Sequence, residues 1–112
     1  MRIAIPVSEG KLSMHFGHCE EFVLVDVDPA KKSILGKESL AAPDHQPGLL
    51  PQWLHEKGAH VIIAGGMGRR AQGLFSEKGI QVVLGSLEDD VDEIVGKYLE
   101  GKLQIGPNVC DH

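Results

Sequence analysis

Val61-Ile62-Ile63-Ala64 has no polar side chain, and Gly65-Gly66-Met67-Gly68 and a helix-like stretch, Arg69 to Lys78, follow at once. A strand with one wet face alternates apolar and polar residues. A continuous apolar run belongs to a parallel strand covered on both faces. Helices must do the covering, so this segment restricts the chain to α/β architectures.

The rest of the chain can be read around that unit. Ile3, Ile5 and Val7 alternate with Arg2, Ala4 and Pro6, which predicts a first strand. Phe22 to Val27 is β-branched and aromatic, a second strand. Asp28-Pro29-Ala30-Lys31-Lys32 is turn chemistry, and Ser33 to Leu40 reads as a third strand, so the two should form a hairpin. Leu49, Leu50, Trp53 and Leu54 fall at helical spacing within a helix from Gly48 to Lys57, stopped by Gly58. His60 to Ala64 is the fourth strand and Ile80 to Leu84 the fifth. Ser86, with Asp89 three residues on, reads as a capping box that starts a last helix reaching about Glu100. The order β-β-β-α-β-α-β-α gives a five-stranded mixed sheet with three helices. Strand two is antiparallel to the others, and strand one lies between strands two and four. Residues 1–101 form one domain and 102–112 a tail.

Composition narrows the function. The 112 residues suffice for one core. A net charge of −5 with scattered basic residues argues against a nucleic-acid partner. The opening segment reads as a strand rather than a signal peptide, and the apolar runs are too short for a bilayer. The expectation is a cytoplasmic protein with no membrane partner. Six histidines and two cysteines, Cys19 and Cys110, stand out in so short a chain.

Strands one, three, four and five point the same way, so the loops after them emerge at one sheet edge. Open α/β sheets bind ligands in the crevice outside the carboxyl ends of their strands. Here that crevice would be lined by His15, His18, Cys19 and His45, with Gly65, Gly66, Met67 and Gly68 as its floor. Met14-His15-Phe16-Gly17-His18-Cys19 places two imidazoles and a thiol within five residues. Imidazole and thiolate are ligands for zinc, copper and iron–sulfur centres, so His15, His18 and Cys19 are the expected metal ligands. The bland alternative is one histidine packed on Phe16, another capping a helix and an inert buried thiol. Gly66 to Ala71 formally matches G-x-G-x-x-A, but strand five is followed by no acid to hold a ribose. What remains is an anion-friendly helix start that Arg69 or Arg70 could assist, or simply a tight turn. Cys110-Asp111-His112 is a second thiol–imidazole pair. Its tail is long enough to come back to the site or to fray. His55 and His60 read as structural or solvated.

Ile3 to Val7, His15 to Asp26, Val61 to Ala71 and Gly79 to Gly85 together resemble the dinitrogenase iron–molybdenum cofactor biosynthesis family over about residues 1–100. The resemblance implies an RNase H-like fold and a non-catalytic binding, carrier or storage role in metallocofactor assembly. The cofactor implied is an iron–sulfur or molybdenum-containing cluster, with His15 its natural contact. Cluster-donor or acceptor proteins are the implied partners. The alternatives are a small enzyme using Cys19 and a histidine, or a regulatory or scaffold domain that no longer binds a cluster. A nuclease would need carboxylates clustered on strand one, which offers none.

Overall fold

The computed structural model describes residues 1–14, 16, 19–44, 46 and 48–106. Its elements are β1 (Arg2–Ser8), β2 (Lys11–Leu12), β3 (Glu21–Asp28), β4 (Ser33–Ala41), α1 (Leu49–Glu56), β5 (Val61–Ala64), α2 (Arg69–Glu77), β6 (Gln81–Leu84) and α3 (Val91–Glu100). The strands line up as β4-β3-β1-β5-β6, and β2 pairs with β1. β3 is antiparallel to β1 and β4, while β5 is parallel to β1 and β6. The expected mixed sheet, its odd strand and its order are all present.

The alternation in β1 separates two cores rather than core from water. Ile3, Ile5 and Val7 join Val23, Val25, Val61 and Ile63 under Ile94 and Val95 of α3. Ala4 joins Phe22, Leu24 and Ile62 under Leu50 and Leu54 of α1 and Phe75 of α2. The sheet is therefore sandwiched, with α3 on one face and the other two helices on the opposite face. All four residues of β5 are buried, as a two-sided parallel strand requires.

Two local readings need correction. The sheet has six strands rather than the expected five, because the stretch after β1 holds a short strand of its own. Glu9 (φ 53°) and Gly10 (φ 81°) form a tight turn that folds β2 back on β1, with Val7 opposite Leu12. Positive φ at both central residues marks the two-residue hairpin turn. The last helix does not start from Ser86, whose hydroxyl donates to the Glu88 carbonyl. Its cap is Asp90, whose carboxylate accepts from the Glu93 N–H at 3.1 Å. The capping pattern is real, but it sits four residues further on.

The hairpin β3–β4 closes as expected, with Asp28 Oδ1 accepting from the Ala30 and Lys31 N–H groups. Arg2 holds Asp26 through two bonds, Nε to Oδ1 at 2.8 Å and an Nη2 contact at 3.2 Å. The hydrogen bond from Arg2 keeps the Asp26 carboxyl below its ordinary range. A depressed carboxylate stabilises the fold above its unfolded pKa, near 4, and that contribution is lost as pH falls through the folded value. The side chain is 44% exposed, so the effect should stay below about 1 kcal/mol. Asp26→Asn should lower the urea midpoint at pH 7, and the gap to the parent should narrow at pH 3. An equal gap at both values would show that the ion pair contributes nothing.

Candidate functional site at the sheet edge

Four segments converge where β1, β4 and β5 end. A side chain at Gly65 would crowd the neighbouring backbone, because a Cβ there would meet the Ser13 carbonyl at 3.3 Å and Met14 Cα at 3.4 Å. The Phe16 N–H donates to the Gly66 carbonyl at 3.2 Å. The residues on either side of His15 thus rest on the glycine turn. The Ala42 N–H donates to the Glu20 carbonyl at 3.0 Å, which joins the segment leading to His45 to the one leaving Cys19. His15, His18, His45, Cys110 and His112 themselves lie outside the described residues. Among the described residues, no group of three or more His, Cys, Asp and Glu stands close enough to hold a metal.

Beside this junction is a cavity of about 190 Å³. Its walls include Phe16, Leu50 and Pro51 of α1, and Arg70, Ala71 and Leu74 of α2. The ring of Phe16 is itself held edge-on by Phe75 (5.4 Å, 73°) and Phe22 (6.1 Å, 66°). Gln46, next to His45, also reaches the wall. Residue spacing points to the glycine turn with either Arg69 or Arg70 beside it, and Arg70 is the one that lines the cavity. The only hint in the sequence is the one-position difference in helical phase between the two arginines.

Both helices bring their first turn to this cavity. α1 begins at Gly48 (φ 80°) and α2 at Gly68, with no side-chain cap and no acidic residue in the first turn of either. Each helix start carries roughly half a positive charge, which acidic first-turn residues would ordinarily offset. Met67 is buried, and its carbonyl accepts from Gln72 Nε2 at 3.0 Å, which clamps the glycine turn onto α2. The chemistry on offer is an apolar hollow with positive potential from two helix ends and one guanidinium.

Cys19 lies half-buried against the Phe16–Phe22 cluster. Burial pushes its thiol up to about 11. With a metal-free chain, alkylation of Cys19 at pH 7.5 should be at least about tenfold slower than that of a free thiol, since only the thiolate reacts. Peptide mapping separates Cys19 from Cys110. A rate equal to that of free cysteine would refute the buried placement. His60 is structural, as its Nδ1 accepts from the Arg2 N–H at 3.0 Å.

The fold and this edge define a small α/β protein with a cavity beside the ends of its strands. Comparison with known proteins agrees. A crystal structure of PH0822 superposes with a TM-score of 0.85, 32% identity and 94% of each chain covered. The apo form of the orange protein of Desulfovibrio gigas gives 0.72, with 27% identity over 96% of this chain and 93% of that one. Protein MJ0580 of Methanocaldococcus jannaschii is 29% identical over 107 residues, 93% of this chain and 90% of its own. The family model for dinitrogenase iron–molybdenum cofactor proteins matches residues 1–101. The chain belongs to that family, a group associated with metallocofactor biosynthesis and carriage.

Proposed function

We propose that this protein carries an anionic iron–sulfur or molybdenum-containing cluster, as cargo rather than as a catalytic cofactor, at the edge formed by Phe16, the glycine turn and the starts of α1 and α2. The observation that carries the reading is the pair of uncapped, acid-free helix starts converging on one apolar cavity beside Arg70. An anion gains there from both helix ends, and apolar walls strengthen the attraction by excluding water. His15, His18 and Cys19 supply ligands, with His45 close by in sequence to the Gln46 wall. The Gly65 to Gly68 backbone and Arg69 face the cargo's negative charge. The cavity suits a cluster larger than a single ion, and soft ligands beside it suit metal–sulfur chemistry. Donor or acceptor proteins of the assembly machinery are the partners. A reducing cytoplasm is the compartment that keeps such thiols and clusters intact, and no helix among the described residues is long and apolar enough to cross a membrane. The sheet order with one antiparallel second strand supports an RNase H-like topology. The binding domain is residues 1–101, followed by the tail 102–112. A Cys19 nucleophile is disfavoured, because a thiol held near 11 is almost wholly protonated at neutral pH.

The test is anaerobic reconstitution of the parent and of the triple variant His15→Ala, His18→Ala, Cys19→Ala, read by elemental analysis and visible absorption. The variant should keep its circular dichroism, losing roughly 1 kcal/mol or less, and should lose most of its metal and colour. Retention of both like the parent would overturn the ligand assignment. In addition, crystals soaked in molybdate should show density against the N–H groups of residues 66–69. Its absence at high anion concentration would reduce the glycine turn to a structural feature.

A further inference from the structure

Three separate stretches of chain meet where β5 and β6 end. The Leu12 N–H donates to the Asp89 carbonyl at 2.9 Å, and the Gly85 N–H donates to the Gly65 carbonyl at 3.1 Å. Gly65 in turn abuts Ser13 and Met14, so residues 12–14 run beside 85–89 in the opposite direction. On the other side, Gly101 ends α3 in the left-handed conformation (φ 72°), and the chain returns along the end of β6. The Leu87 N–H donates to the Gln104 carbonyl at 3.1 Å, Ser86 bridges Ile105 in antiparallel fashion, and the Gly106 N–H donates to the Gly85 carbonyl at 2.6 Å. Gly85 (φ 77°) has no space for a Cβ, which would collide with the Gly106 carbonyl oxygen. This stitching brings Met14, Leu87 and Ile105 to one edge, with 57%, 64% and 58% of their surface exposed. Leu87 belongs to the middle stretch. It is followed by Glu88, Asp89 and Asp90, and then by Asp92 and Glu93 in the first turn of α3. Lys97 pairs with Glu88 and Glu93, Lys37 with Asp92, and Lys11 lies 3.9 Å from Asp89. Among the described residues these five carboxylates meet three lysines, so the rim of the apolar edge stays negative.

We propose that an acceptor protein docks on this edge to take over the cargo, and that it presents an apolar centre ringed by lysine or arginine. The inference rests on the carrier role assigned above. Position favours it. Met14 is two residues from Phe16, a wall of the cavity, so a partner seated here reaches the rim of the cargo site. Charge favours a basic partner. An acceptor for an anionic cluster carries cations where the cluster enters, and the same cations meet the acidic rim of the carrier. Two copies of this chain placed edge to edge would instead bring their acid runs together, which opposes association. Size favours a transient contact. The three side chains expose roughly 300 Å² of apolar surface, against about 800 Å² per partner in a stable complex. A carrier that must leave after delivery needs that limit. A second exposed group, Met1, Ile34 and Leu35, sits at the opposite end of the sheet, where Val27 donates its N–H to the Met1 carbonyl and faces Ile34. The turn beside it carries Lys31 and Lys32, which repel a basic partner.

The experiment is an NMR amide-shift titration of the metal-free, full-length protein with a synthetic amphipathic helix of leucine and lysine. The same helix with glutamate in place of lysine is the control. The lysine helix should shift the amides of residues 12–14, 85–90 and 104–106. Its binding should weaken at least about threefold as salt rises from about 0.05 M to about 0.5 M. Leu87→Ser/Ile105→Ser and Asp89→Lys should each cost at least about fivefold in affinity, while Leu35→Ser should cost nothing. Shifts centred on Leu50, Ala71 and Leu74 would put the helix in the cavity and overturn the docking surface. Equal binding of both helices, or binding that these substitutions leave intact, would overturn it too. Sedimentation of the protein alone tests the other occupant. Concentration-dependent association that Leu87→Ser/Ile105→Ser abolishes would seat a second copy at this edge, and the proposal would fall. The two readings fail separately. If the parent takes up metal on reconstitution but the lysine helix does not bind, the carrier role stands and the docking surface falls. If the helix binds as expected but the parent takes up no metal, the surface for a basic partner stands and the carrier role falls.

Discussion

Phe75→Ala should destabilise the chain by about 3–5 kcal/mol, the range for emptying a buried aromatic site. Phe75 is fully buried among Phe22, Leu54, Ile62 and Ile80, with its ring edge-on to Phe16. These cluster members sit on β3, α1, β5 and the loop before β6, and cannot all move into the space without disturbing the segments that carry them. For a chain of this size, the melting temperature should fall by roughly 10–25 °C. Phe75→Leu refills most of the volume and should cost less than half as much. The site should suffer as well, because Phe16 forms a wall of the cavity and loses its lateral support. Measured by urea unfolding, a loss under 1 kcal/mol would mean that the ring is not packed as described.

Gly85→Val should strip the strand-like segment 102–106 from the end of β6. A β-branched residue is strained at φ 77°, at a cost of about 1–3 kcal/mol, and its Cβ collides with backbone rather than with a side chain that could turn away. The chain has two ways to respond: distort the Gly65–Gly85 contact or release Gly106. Release is the smaller change, since only the bonds at Leu87, Gly106 and the Ser86–Ile105 bridge are lost. Amide exchange at residues 103–106 should rise by at least tenfold, about the effect of 1.4 kcal/mol, while β1 and β5 stay protected. If exchange rises across the whole sheet instead, Gly85 supports the core and not the tail.

How far the sequence exposes this fold depends on the length scale of each signal. β5, its glycine turn and α2 are legible because burial on both faces leaves a run that only a parallel strand explains. The direction of every strand follows from one hairpin and two βα units. β2 is hidden because two residues have no periodicity, although Glu9-Gly10 between Ser8 and Lys11 carries turn chemistry. The capping box is misplaced because Ser86 and Asp90 are both good caps, and only packing of Ile94 and Val95 decides between them. The edge that gathers the loops follows from topology, and Met14 and Phe16 against Gly65 and Gly66 bear that out. The cavity is not legible, since it forms where α1 and α2, distant in sequence, bring Leu50 and Leu74 together. The course of residues 102–106 is equally hidden, because backbone bonds with Gly85 and Leu87 leave no mark in side-chain pattern.

Gly65, Gly85 and Gly106 stand side by side although some twenty residues of chain separate each from the next. Such a row exists only in the folded molecule, as does the cavity beside it, so on the proposed reading an unfolded chain would have no equivalent place for cargo. Whatever binds there must then add its own binding free energy to that of folding, about 2.7 kcal/mol at a hundredfold excess over the dissociation constant. Occupancy and resistance to unfolding become one variable read in two ways. On that reading an empty carrier would be the softer target for a protease, and a full one would be protected for as long as it held its load. Transfer to an acceptor would return the carrier to its more perishable state.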